Sequence, residues 1–197
     1  MILEKIISLP GLFIAIIFHE LAHGYTAYKL GDPTAKEAGR LTLNPLKHID
    51  IVGFLFMLVF KFGWAKPVPI NPSYFKKRKR DTILVSLAGP LTNFVIAIIS
   101  AFIISTNIIK NSIFIDILII TLWYNIMLGV FNLLPFPPLD GSKVVASILP
   151  VKWEYKFYKY ERYLYLILVF LVISNTIDKI LGPLINISLN LLLKIVN

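Results

Sequence analysis

His19-Glu20-Leu21-Ala22-His23 follows directly on the apolar run from Ile6 to Phe18, and no other feature narrows so sharply what this chain can fold into. On a helix, side chains four positions apart share a face. Two imidazoles at that spacing can grip one ion, and the carboxylate between them can reach a water held there. Three ionisable groups within five residues are expensive in hydrocarbon unless they have such a task. The placement therefore points to zinc chemistry at membrane depth rather than to histidines merely satisfied inside a helix bundle.

Composition supports a membrane setting. The 197 residues are 57% hydrophobic and only 16% charged, more apolar surface than one soluble core uses. We expect an all-α multi-pass membrane protein, a single domain over 1–197. The net charge of +9 is no sign of nucleic acid, because the bases fall between apolar spans, where anionic lipid and the positive-inside rule account for them. With no cysteine, disulfides and thiolate ligands are excluded, which leaves imidazole and carboxylate as metal ligands. The first apolar segment carries the candidate site and no small-residue cleavage motif, so it does not read as a cleavable signal.

The hydropathy pattern predicts about five to six transmembrane or re-entrant segments. Segment one runs from Ile6 to Leu30 and is ended by Gly31-Asp32-Pro33. Segment two, Ile51 to Trp64, falls short of the roughly 20 residues a crossing helix needs, so it is either re-entrant or spans by recruiting neighbours. The prolines of Lys66-Pro67-Val68-Pro69-Ile70-Asn71-Pro72 predict a short extended, β-like segment. Segment three, Thr82 to Ile104, is interrupted by Gly89-Pro90, and segment four, Ile113 to Leu134, ends at a proline-rich break before Asp140-Gly141. The core motifs thus lie within 6–150. Residues 151–197 supply accessory membrane segments, Tyr163–Ile173 and Ile180–Val196, either two spans or one broken span. Basic loops 76–80 and 143–162, the second with Trp153, Tyr155, Tyr158 and Tyr160 as an interfacial belt, are expected on the cytoplasmic side of the cell membrane. Matching the depths of His19 and Asn93 then favours an external N-terminus.

Two imidazoles leave zinc under-coordinated, since a catalytic site takes a third protein ligand and keeps one position open. Asp140 is the strongest candidate: prolines before it forbid a helix and free backbone carbonyls, which at membrane depth is tolerated only around a protein-lined wet cavity. Gly141 beside it permits a close approach. His48, Asp32 and Asp50, in a connection that can be solvated, are the alternatives.

Together, His19-Glu20-Leu21-Ala22-His23, Gly89-Pro90-Leu91-Thr92-Asn93 and Asn132-Leu133-Leu134-Pro135-Phe136-Pro137-Pro138-Leu139-Asp140-Gly141 resemble the three core motifs of the site-2 protease family of intramembrane zinc metalloproteases, peptidase family M50. Asn44–Asp50 and Gly63–Pro69 look like its compact form, without PDZ or CBS domains. The resemblance implies one Zn2+ per chain on His19, His23 and Asp140, with Glu20 as general base and Asn93 beside the reacting carbonyl. Its amide would donate to the oxyanion, or else bond between helices. The implied activity is hydrolysis within or near transmembrane segments of membrane-protein substrates in the lipid bilayer. A metal-ion or proton transporter using the same His/Glu/Asp cluster is the alternative. Against it stand a glutamate that need not ligate and the lack of acidic residues strung along several helices.

Overall fold

A computed structural model of the chain describes residues 2–50, 53 and 66–196. Helix α1 (Ile2–Lys29) carries Pro10 within it and ends as its sequence predicts. The N–H groups of Gly31 and Asp32 turn back to donate to the carbonyls of Tyr28 and Ala27 at 3.1 and 3.0 Å. That pair of bonds satisfies carbonyls the helix would otherwise leave orphaned. A short helix α2 (Thr34–Glu37) follows. Segment two, apart from Gly53, lies outside the described residues.

Residues 66–71 are non-helical, and the described residues contain no β-strand, so the expected extended piece is present as a strap without a ladder. Four backbone contacts hold it. The N–H groups of Lys66, Val68 and Asn71 donate to the His48 carbonyl (2.9 Å), Glu20 Oε2 (2.7 Å) and Asp32 Oδ2 (2.6 Å), and the Lys66 carbonyl accepts from Arg40 Nη2 (2.6 Å).

Helix α3 (Arg78–Ser105) runs unbroken through Gly89-Pro90, where the sequence predicts an interruption. Proline gives no N–H to the carbonyl four residues back and costs about 3 kcal/mol in a helix interior. Here the helix continues, with Pro90 fully buried and its carbonyl seated close to Gly129 of the following helix. Helix α4 (Ser112–Asn132) begins under the side chain of Asn111, which accepts from the N–H groups of Ile113 and Phe114. After the proline-rich break come α5 (Asp140–Ile148), α6 (Val151–Lys159), α7 (Glu161–Ile173) and α8 (Ile177–Val196).

Helices α1, α3 and α4 form the central bundle, and it is built inside out relative to a soluble one. Helix α3 buries Ser86, Gly89, Asn93, Ala97 and Ser100, while Leu91, Val95, Ile99 and Phe102, at helical spacing, face outward. Small and polar residues inward with large apolar residues outward is the packing expected of helices in lipid. Three helices among the described residues are long and apolar enough to cross a membrane, and α7 with α8, bent by 82°, make a fourth if taken as one broken span. Asn175, at φ 54°, sits in that bend. A core of Ala97, Ile126, Val130, Leu168, Leu181 and Ile185 packs α7 and α8 against α3 and α4.

The two basic stretches meet. Glu154 of α6 is buried and accepts from Arg78 Nη2 at 2.7 Å, with Lys79 Nζ at 3.3 Å. Both loops therefore lie at one end of the bundle.

Candidate metal centre

Helices α1 and α3 lie antiparallel and touch at positions four residues apart on each. The Ala15 carbonyl accepts from Asn93 Nδ2 (3.0 Å), His19 Nδ1 meets Asn93 Oδ1 (2.6 Å), and His23 meets Val85. Between them Gly89 clears the space: a Cβ there would lie 2.4 Å from His23 Nε2 and 2.7 Å from His19 Cε1. The imidazoles can occupy this position only because residue 89 has no side chain.

Asp140 arrives from the far side at the first position of α5. Its approach requires Gly141, where a Cβ would fall 2.2 Å from the Leu133 carbonyl oxygen. Backbone cannot yield there, so α5 seats directly against the end of α4. Asp140 Oδ2 then lies 3.1 Å from His19 Nε2 and 2.9 Å from His23 Nε2, and the two Nε2 atoms are 3.0 Å apart. All three residues are about 95% buried, each retaining 5% exposure. Asp140 Oδ1 turns away to accept from Lys143 Nζ at 3.2 Å, so Oδ2 alone points inward.

The tautomers decide what this cluster wants. Asn93 donates both Nδ2 hydrogens, to the Ala15 carbonyl and to Asn125 Oδ1, so its Oδ1 faces His19 as an acceptor and His19 Nδ1 carries the proton. The Val85 carbonyl fixes His23 Nδ1 as a donor in the same way. In the neutral rings both Nε2 atoms then present lone pairs to each other and to a carboxylate oxygen. Three acceptors crowded within about 3 Å repel unless a cation lies between them. Tetrahedral ligands at zinc distances stand about 3.3 Å apart, close to what is found here. The donor set fits zinc, and each imidazole has the outer partner that orients a metal-binding histidine.

Among the described residues, His19, His23 and Asp140 form the group of ligand atoms able to share one ion. The model of peptidase family M50 matches residues 8–110 and 106–174 of the sequence. The chain belongs to peptidase family M50. The site-2 protease resemblance of the motifs is thereby established, and with it the enzyme class, zinc metalloprotease. Named relatives agree. "Putative zinc metalloprotease YwhC" of Bacillus subtilis is 37% identical over 195 residues, covering 93% of this chain and 88% of its own. "Putative zinc metalloprotease MJ0611" of Methanocaldococcus jannaschii is 37% identical over 146 residues, covering 73% of this chain and 71% of its own. A relative in Mycolicibacterium smegmatis, "Putative zinc metalloprotease Rip2", is 28% identical over 188 residues, covering 88% and 69%. No solved structure matches the chain.

In this M50 chain the alternative third ligands lie outside the ligand group, each with a hydrogen-bond partner of its own, although the buried Nδ1 of His48 has none among the described residues. Asp32 accepts from Asn71 N–H and from the backbone and hydroxyl of Thr34. Asp50 accepts from the Gly53 N–H at 2.8 Å. Buried His48 turns Nε2 to the Thr42 carbonyl at 2.7 Å. Glu20 is half-buried, with Oε2 on the Val68 N–H. A cleft of roughly 210 Å³ opens from His23 and Asp140 past Val68, Ile70 and Lys143. Val85, Asn125 and Lys143, which the sequence reading does not single out, complete the setting. Only Lys143, one helical turn from Asp140, has a signal in the sequence.

Proposed function

We propose that this M50 protein is an intramembrane endopeptidase that hydrolyses peptide bonds within or next to transmembrane segments of other proteins. The observation that carries this reading is the convergence of two neutral imidazole nitrogens and a carboxylate oxygen, about 3 Å apart, inside helices whose outer faces are lipid-like. His19, His23 and Asp140 would hold zinc, which supplies Lewis acidity toward water and toward the scissile carbonyl. Glu20 is the general base: it takes a proton from the attacking water and passes it to the leaving amine. Its Oε1, which has no partner among the described residues, is the atom available for that transfer.

We assign Asn93 to the orientation of His19. Both of its amide hydrogens are taken up, so service at an oxyanion requires release of the Ala15 carbonyl or of Asn125. Substrate pairs as an unwound strand along residues 66–72. Because the N–H groups of Lys66 and Val68 are bonded and Pro67 and Pro69 have none, that pairing falls on the carbonyls of Pro67, Val68 and Pro69 and on the Ile70 N–H. With the joined basic stretches placed in the cytoplasm by the positive-inside rule, antiparallel α1 begins outside.

The test is purified protein in vesicles with a single-span substrate. Cleavage is expected, along with its loss on zinc chelation and recovery when zinc is returned. Zinc-loaded protein that moves metal across the vesicle and leaves such substrates intact would overturn the reading. For the third ligand, Asp140→Asn should weaken zinc binding by more than the roughly 10–100-fold that outer partners contribute. His48→Ala should leave it unchanged, and the opposite pattern would transfer the role to His48.

A further inference from the structure

The strap over residues 66–71 does more than line the cleft. Pro67 and Pro69 have no backbone N–H, so Val68 carries the single backbone donor between Lys66 and Ile70. That donor is aimed at Glu20 Oε2 across 2.7 Å, a distance typical of a bond to a charged acceptor. Val68 itself is buried, 6% exposed, and its side chain lines the cleft beside His23 and Asp140. The strap is fastened on both sides of Val68: at Lys66 by the His48 carbonyl and Arg40, and at Asn71 by buried Asp32. Asp32 directly follows the Gly31 turn of α1, the same helix that carries Glu20. Donor and acceptor are therefore held in one frame.

We infer that the Val68 backbone amide is a positioning group for catalysis: it fixes the Glu20 carboxylate through Oε2 so that Oε1 stays aimed at the reacting water. This inference rests on Glu20 being the base. A glutamate side chain has three rotatable bonds, and a half-buried carboxylate without an anchor would sample several rotamers. One donor, isolated by two prolines, selects one of them. The prolines also remove the neighbouring N–H groups that would compete for the carboxylate. The function belongs to the main chain, so the identity of the side chain at position 68 matters little to it.

The measurement is kcat and KM in the vesicle assay, with zinc per chain determined for each protein. Val68 is replaced by its α-hydroxy acid through nonsense suppression, which exchanges the N–H for an ester oxygen and keeps the side chain. The same exchange at Ile70 is the control for ester chemistry in the strap, and Val68→Ala is the conservative variant that keeps the donor. The ester at position 68 should lower kcat by roughly 10- to 100-fold, the scale of a misplaced catalytic group, with zinc unchanged; the weaker ester carbonyl it leaves at Pro67 affects KM, as the Ile70 ester does through Pro69. Val68→Ala and the ester at Ile70 lie in the cleft lining and are expected to raise KM, but each should lose clearly less kcat than the ester at 68. An unchanged or higher kcat with the ester at 68 would overturn the inference, as would loss of zinc or an equal loss in the Ile70 ester. A parent protein that fails to cleave would overturn the protease reading instead, so the two failures are distinguishable.

Discussion

Glu20→Gln should lower the rate of substrate cleavage by about 10²–10⁴-fold, the usual contribution of a positioned general base, while zinc remains at the parent level. The amide is the same size as the carboxylate and its oxygen still accepts from the Val68 N–H, so the local structure has no reason to change. What disappears is an atom that can take a proton. None of the three grouped ligand atoms belongs to Glu20, which separates this substitution from one that empties the centre. Turnover measured beside metal content checks it, and activity equal to the parent would remove Glu20 from the mechanism.

Gly89→Ala should have an effect of similar size by the opposite route. The added methyl would lie 2.4 Å from His23 Nε2 and 2.7 Å from His19 Cε1, where the proposed ion would be held. Neither ring can step aside cheaply, because His19 Nδ1 is bonded to Asn93 and His23 Nδ1 to the Val85 carbonyl. Leaving either buried donor unpaired costs about 1–3 kcal/mol. The expected result is folded, helical protein with little zinc and little activity, read by circular dichroism and metal analysis on the same sample. Alanine is otherwise a better helix former than glycine by about 1 kcal/mol, so α3 itself should not suffer. A variant that keeps its zinc would show that the rings do not bind metal in this arrangement.

Much of the site was legible because its chemistry is local. The spacing of His19 and His23 is a property of one helix, and Gly31-Asp32-Pro33 stops that helix by backbone rules alone. Asp140 stood out because a proline-rich break beside an acidic residue is costly in lipid, and the structure brings it to the histidines across 117 and 121 residues of chain. Other features depend on tertiary neighbours that no local pattern announces. Pro90 reads as an interruption, yet α3 passes through it, the proline fully buried beside Gly129 of α4. The Val68 donor has half a signal: its flanking prolines predict an extended segment, but the acceptor lies 48 residues away. Asn125 had none, since an asparagine within an apolar helix declares only that it needs some partner, which proves to be Asn93.

The matched contacts of α1 and α3 have a mechanical consequence. Ala15, His19 and His23 advance by four residues, as do Val85, Gly89 and Asn93 in the opposite sense, so the two rods mesh like gear teeth of equal pitch. A slide of one residue would bring a Cβ from Ala88 or a proline ring from Pro90 to the place of Gly89 and break each tautomer-fixing bond together. The histidine half of the centre is assembled or absent as a unit, while Asp140 reaches it from a separate short helix.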